Sequence, residues 1–357
     1  MTKITKFYTS IRGVKMAIPI VATSPLGNFQ HLPNEIFVEI LRNLSIKDLG
    51  ILSMTSSEIR EFIISTFIFS KNGFKKLNNY QYCNLNTLSD NFTCINSSKL
   101  INEIPPSIGY FVKRCTLVLP TEIRIQHLMQ IFLQTLGTPT FEMFQKYDYR
   151  TAREVYQFYG TIINCFVSGW REFEAYKVYD YLYEICEIDK KIEIFHSITS
   201  TPTLNLNLIE LYIRLFFRMI FNLLPESGIT EGEKLKWSLT KFTTGTRKQT
   251  AKIFILIFGP IMEIQNGYQG DPKFSHHIAW VELSDQCFIN NSLETFGFII
   301  RTLYHSSNHL NIDRQYVFEL FKEIITIDFQ WLNKNVAALL VYSGSSFSNA
   351  YLRYKFQ

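Results

Sequence analysis

Nothing in the 357 residues approaches the roughly 18 uninterrupted apolar residues that a membrane-spanning helix requires. The nearest candidate, Ile253 to Met262, is too short and contains Gly259-Pro260, so no membrane partner is expected. Cysteine is sparse. Cys83, Cys94, Cys115, Cys165, Cys186 and Cys287 are scattered without a CxxC pair, and no secretory signal precedes them. That favours reduced thiols over a disulfide framework, and the nucleus and/or cytoplasm is the expected location. A strong charge of one sign is also lacking: the net charge of +5 is spread along the chain and argues against nucleic acid as a partner.

Signatures of catalysis are missing in the same way. There is no GxSxG segment. Gly245-Thr246-Arg247-Lys248 lacks the GxxxxGK[ST] spacing of a phosphate loop, so Lys248 is read as lying in a solvated first helical turn. His305 and His309 are spaced i, i+4, with His276-His277 upstream, but no Glu follows His305 in HExxH fashion and no cysteine pair completes a zinc set. Glu172 and Glu174 point to different sides of a helix and make a poor acid and base. Lys113 and Arg114 could activate Cys115 as a nucleophile, yet no His with a supporting carboxylate can be assigned to it, so a structural thiol is expected. No catalytic residue, metal or cofactor is therefore assigned.

What is present is apolar periodicity, beginning near the N-terminus. Residues 1 to 34 contain no acid and four basic residues, Lys3, Lys6, Arg12 and Lys15. Pro19, Pro25 and the lack of an Arg-rich amphipathic helix favour a flexible leader over residues 1–28 rather than a transit peptide. Leu32-Pro33 then opens a helix, proline being tolerated where the N–H it lacks would have no partner. Phe37, Ile40, Leu41 and Leu44 fall at i, i+3, i+4 and i+7, and Ile36 widens the stripe. Ser45 can cap a second helix with Asp48 in its first turn and Leu49, Ile51 and Leu52 along it. Ser56 or Ser57 can cap a third, carrying Ile59, Phe62, Ile63 and Phe67.

Three helices within forty residues cannot hide so many large side chains among themselves, so the surplus needs a partner. The order Leu32-Pro33-x-Glu35-Ile36, Ile40-Leu41, Leu44, Asp48-Leu49, Leu52 resembles an F-box over residues 29–69. The resemblance implies a module that holds the Skp adaptor, and through it the cullin and RING subunits of a ubiquitin ligase, leaving the rest of the chain for a protein substrate. The adaptor-facing candidates are Leu32, Pro33, Ile36, Phe37, Ile40, Leu41, Leu44, Leu49 and Leu52, each facing either the adaptor or the module's own small core. One departure is Ile59, where many F-boxes carry an aromatic residue.

Residues 70–110 shift to Asn, Ser, Gly and Pro and read as a linker, with Pro105-Pro106 expected to end any helix. Phe111 to Pro120 is either a buried strand or an extended lead into a helix. From Thr121 onward helical patterns dominate. They are expected at about 121–136, 149–169, 170–195, 206–224, 245–258, 276–289, 292–306, 313–326 and 329–342, with stops at Gly259-Pro260 and Gly344 and caps at Asp313 and Asp328. No fixed repeat period survives counting. The expected fold is all-α: an N-terminal three-helix F-box followed by an irregular antiparallel helical array over 111–344, with a tail at 345–357.

Segments that keep their order sharpen the resemblance to the F-box only protein 47 family: Gly27 to Leu41, Leu44 to Met54, Phe111 to Thr121, Ser168 to Leu182, Arg214 to Arg218 and Gln330 to Gly344. KRCTLVLPT and SGW are the distinctive parts. That family's members continue past the point equivalent to Gly344, so this chain is expected to be a shorter or an incomplete member. The resemblance implies a substrate-recognition subunit acting in germ cells in meiotic prophase. Trp170, Arg171, Arg214, Arg218 and Trp331 are the first candidates for substrate contact, since aromatics and Arg are favoured anchors. Two other readings use the same helices. One is a scaffold that binds without degrading, and the other is a chromosome-associated protein with Lys71, Lys75, Lys76, Lys113 and Arg114 as its basic surface.

Overall fold

Side-chain caps decide where the second and third N-terminal helices begin. In the computed structural model, residues 31–70, 73, 97–197, 204–221, 231–242, 245–259, 261–263, 276–278, 290–307, 312–327, 331 and 333–356 are described. Helix α1 spans Asn34–Arg42 with Pro33 at its N-cap. Ser45 caps α2 (Ile46–Leu52) by accepting from the Asp48 N–H at 3.1 Å. Ser56 caps α3 (Ser57–Ile63) by accepting from the Ile59 N–H at 3.4 Å. A π-helical segment, Ile64–Phe69, continues α3.

The next helix departs from expectation. α4 runs from Ser97 to Cys115 with Pro105 and Pro106 inside it, so the C-terminal part of the expected linker is a helix, as is the start of the expected strand or lead at Phe111. A proline in a helix interior costs about 3 kcal/mol or more. Here Ile108, Phe111, Val112 and Cys115 are wholly buried, and their packing outweighs that cost. Gly109 lets α4 lie against α7 (Tyr149–Val167): a Cβ there would stand 2.6 Å from both the Cys165 Cβ and the Ile162 carbonyl oxygen. Apart from Ser70 and Gly73, the remainder of the expected linker, and the leader over 1–28, lie outside the described residues.

The array continues with α5 (Thr121–Gln134), the short α6 (Phe141–Phe144), α7, α8 (Glu172–Ile185), α9 (Ile188–Ser197), α10 (Leu204–Ile220), α11 (Glu231–Phe242) and α12 (Arg247–Phe258). The single helix expected over 170–195 is divided because Glu187 adopts a left-handed φ of 52°. Thr246 and Gln249 form a capping box at the start of α12, so the segment that loosely matched a phosphate loop is a helix N-terminus. Strands β1 (Ile261–Glu263) and β2 (His276–Ile278) pair antiparallel, with Met262 opposite His277. The helix expected over 276–289 therefore begins as a strand, and its remainder lies outside the described residues.

α13 (Asn290–Ser306), α14 (Arg314–Thr326, capped by Asp313), α15 (Asn333–Tyr342) and α16 (Ser345–Lys355) complete the chain. The expected tail is thus mostly helix, held by Phe347 and Tyr351, which bury against Phe321. One contiguous apolar core runs through these elements. α4 packs on both α2 and α7, α7 on α10, and α10 on α12. The fold is all-α, a three-helix N-terminal module followed by stacked helices, as expected.

Candidate functional site

α1 carries two apolar stripes side by side. Phe37 and Leu41, four residues apart, point inward and are buried. Pro33, Ile36 and Ile40, at i, i+3 and i+7, point outward; Pro33 is exposed, and Ile36 and Ile40 are 51% and 40% exposed. The inward stripe meets α2 and α3: Ile46, Leu49, Ile59 and Ile63 are buried with it, and the Phe37 and Phe62 rings lie 5.0 Å apart. Ile59, at the position where many F-boxes carry an aromatic residue, is a core residue here.

The two duties left open for the nine apolar candidates are therefore divided. Phe37, Leu41 and Leu49 are buried and build the module's own core. Pro33, Ile36 and Ile40 face solvent, while Leu32, Leu44 and Leu52 are half-buried. Ile51 and Met54, which were not among the candidates, are also exposed, at 43% and 46%. The signal for Met54 is weak in sequence because it follows the end of α2 and has no helical periodicity.

The module is joined tightly to the array. Gly50 of α2 faces α4, where an added Cβ would meet the Arg114 Cδ at 3.2 Å and the Phe111 Cα at 3.4 Å. Gln134 of α5 donates to the carbonyls of Phe67, at 3.3 Å, and Ile68. Phe69 packs edge-on against His127 at 4.7 Å. Cys115 lies in this junction, and burial pushes its thiol up to about 12, against the lowering effects of Ser53, Arg60 and Arg114. It is protonated at neutral pH and is not a thiolate nucleophile. Arg114 lies over the Tyr110 ring and against Gly50, and Lys113 donates to the Ser168 carbonyl. Both are thus engaged with the fold. Lys71, Lys75 and Lys76 lie outside the described residues.

The five substrate-contact candidates are not brought together as exposed anchors. Trp331 is buried, near Phe296. Arg214 is buried and donates from Nη1 to the Leu256 carbonyl at 2.8 Å; Arg218 donates from Nε to the Ile257 carbonyl at 2.9 Å. These guanidiniums close the C-terminal turn of α12, where the orphan carbonyls and the helix dipole favour a cation. Burial holds both below the ordinary arginine value. Sequence could not show this, since the carbonyls they satisfy lie some forty residues away. Trp170 is half-buried against Phe166 and beneath the Arg124 guanidinium, and Arg171 is exposed. His309 lies outside the described residues, and among those described no three His, Cys, Asp or Glu side chains converge as metal ligands.

Comparison with known proteins agrees with this arrangement. An F-box domain model matches residues 29–71, and a model described as FBXO47, ARM repeats matches residues 189–357. The chain is 29% identical to human F-box only protein 47 over 346 residues, covering 93% of this chain and 68% of that protein. It is 26% identical to the mouse F-box only protein 47 over 339 residues, covering 90% and 66%. The chain thus spans about two thirds of the length of these curated relatives. No solved structure matches it. A three-helix module matched by the F-box domain model, with its core satisfied inward and an apolar stripe turned outward, is followed by helices matched by the ARM-repeat model, and the chain as a whole is similar to F-box only protein 47.

Proposed function

We propose that this chain is the substrate-recognition subunit of an SCF-type ubiquitin ligase. Its N-terminal module holds the Skp adaptor, and through it cullin and RING subunits, while the helical array holds a protein substrate. Such a subunit needs no active site, because holding a substrate beside a ubiquitin-loaded enzyme supplies effective concentration. The observation that carries the reading is the outward stripe of Pro33, Ile36 and Ile40, with Ile51 and Met54 also exposed, on a module whose own core is complete without them. The close packing of α2 on α4 supports a fixed relation between adaptor and substrate, as a bridge requires. The resemblance to the F-box only protein 47 family supports action in germ cells at meiotic prophase, in the nucleus and/or cytoplasm.

The test is co-purification of the adaptor and cullin with the native chain and with an Ile36→Asp/Ile40→Asp variant. Both positions are solvent-facing, so the variant should melt like the native chain while losing adaptor by thirtyfold or more, the effect expected for truncating an interface hot spot of about 2 kcal/mol. Equal recovery of adaptor would sink the F-box contact. If recovery falls but no protein accumulates in cells carrying the variant, the chain acts as a non-degradative scaffold.

A further inference from the structure

The two segments most distinctive in sequence, KRC and SGW, meet in space. Lys113, near the end of α4, donates to the Ser168 carbonyl, and a Cβ on Gly169 would lie 3.9 Å from the Lys113 Nζ. Trp170 follows, and the Arg124 guanidinium lies 3.6 Å from the centre of its ring and 5.6 Å from that of Phe166. Arg124 is only 7% exposed. Its Nε and Nη2 atoms, and the Trp170 Nε1, are buried without a hydrogen-bond partner. Glu174 acts on Arg124 through space, but its Oε1 accepts from Thr121 Oγ1 at 3.5 Å.

The junction of α4, α5, α7 and α8 thus presents buried donors for which the described residues supply no acceptor. A buried donor left unsatisfied is destabilising, more so when charged, whereas a hydrogen bond to a charged group is among the stronger stabilising contacts. An acceptor brought in from outside would relieve that cost, and the stack on Trp170 already fixes the guanidinium plane, so little ordering remains to be done on binding. Gly169 is exposed and Lys113 and Trp170 are half-buried, so the cluster reaches the surface with Arg124 on its inner side. The two cations also lie near one another: burial and the neighbouring Arg124 hold Lys113 below the ordinary lysine value, and burial pushes Arg124 down to about 10.

We propose that Lys113, Arg124 and Trp170 form a site for an anionic oxygen group, carboxylate or phosphate, carried on a peptide. Two observations favour a peptide over a nucleic-acid backbone. The cations form one compact cluster rather than the stripe that tracking a backbone needs. Apolar side chains close to it in sequence, Ile123 before Arg124 and Phe173 in the first turn of α8, are 39% and 57% exposed, suited to the residues flanking an acidic one. The proposal deepens the substrate-receptor reading and rests on it for the peptide nature of the ligand.

The experiment uses the purified full chain. Sodium phosphate and sodium acetate are titrated by calorimetry at constant ionic strength against sodium chloride, followed by the pentapeptide Gly-Leu-Xaa-Leu-Gly with phosphoserine, Asp or Ser at the centre. Saturable binding is expected, with the acidic peptides tighter than the Ser peptide. Preference for phosphoserine over Asp assigns the group as phosphate, and the reverse assigns it as carboxylate. Trp170→Phe keeps the aromatic stack and removes only the N–H, so it should weaken binding roughly tenfold, the loss of one hydrogen bond to a charged group. Arg124→Lys keeps the charge but not the fork and should weaken it at least as much. Responses no greater than with chloride, or equal affinities for the native chain and Trp170→Phe, overturn the site. Failure to prefer acidic peptides over the Ser peptide overturns the peptide assignment, as does salt-sensitive duplex DNA binding lost in the same variants. Adaptor co-purification is unaffected by Trp170→Phe in every case, so failure here leaves the adaptor contact standing.

Discussion

α1 and α7 are both amphipathic helices with large apolar residues at helical spacing, yet they finish with different surfaces. α7 buries Val155, Tyr156, Phe158, Tyr159, Ile162, Ile163, Phe166 and Val167, because α4 covers one side and α10 another. α1 buries Phe37 and Leu41 but leaves Ile36 and Ile40 exposed, because among the described residues the core it joins, with α2 and α3, meets its other face. Apolar content alone does not make a docking surface. Position within the stack does, and an apolar stripe left exposed is the part available to a partner.

The sharpest way to break that comparison is to place the same charge on the two stripes of α1. Leu41→Asp puts an unpaired carboxylate where a side chain has no exposed surface. It should cost more than the roughly 2–5 kcal/mol of a buried Leu→Ala change and remove adaptor binding by unfolding the module, seen as a lost or lowered melting transition. Ile40→Asp should remove adaptor binding with stability within about 0.5 kcal/mol of native. If both variants melt alike, the division of α1 into inner and outer stripes is wrong.

A smaller effect is expected within the array. Gly109→Ala forces a methyl against the Ile162 carbonyl oxygen at the α4–α7 contact. Overpacking of this kind costs about 1–3 kcal/mol, measurable by urea denaturation. Since α4 also carries α2, limited proteolysis should show the N-terminal module loosening with it. Smaller again is Ser45→Ala, which removes the oxygen that accepts from the Asp48 N–H at the start of α2. It should cost about 1 kcal/mol, as N-cap losses usually do, and reduce adaptor affinity only through the population of folded module.

The least effect concerns pH. Burial holds His127 below the ordinary histidine value, against the opposing hydrogen bond to the Ile123 carbonyl. The unfolded chain therefore binds a proton at higher pH than the folded one, and stability falls as pH drops below about 6.5. His127→Phe, which keeps a ring beside Phe69, should flatten the melting temperature against pH over that window. An unchanged slope would show that His127 is not the group responsible.

Much of the local structure was legible because its causes are local. Ser45, Ser56 and Asp313 cap the helices they precede, Gly259 and Gly344 stand where helices stop, and the stripe in α1 follows from spacing alone. The misreadings share a different cause. Pro105-Pro106 reads as a break, but packing of α4 between α2 and α7 overrides it. One helix over 170–195 reads as continuous because Glu187 carries no sequence mark of its left-handed backbone. His276 to Ile278 reads as helix, but it pairs with β1 and Asn207 donates to the His276 carbonyl at 2.8 Å, partners far along the chain. The candidate site was legible as a set of residues and not as a surface, since Arg214, Arg218 and Trp331 look like anchors until their partners are known.

By itself the sequence determined the all-α class, the order of the N-terminal helices and the excess of apolar residues that calls for a partner, because helical period and capping act within a few residues. Only the tertiary structure decided which apolar stripe stays outside, which arginines are bound to carbonyls within the fold, and that KRC and SGW come together around Arg124. Those outcomes depend on which surfaces meet across long separations in the chain, and burial is a property of that meeting rather than of any residue's own chemistry.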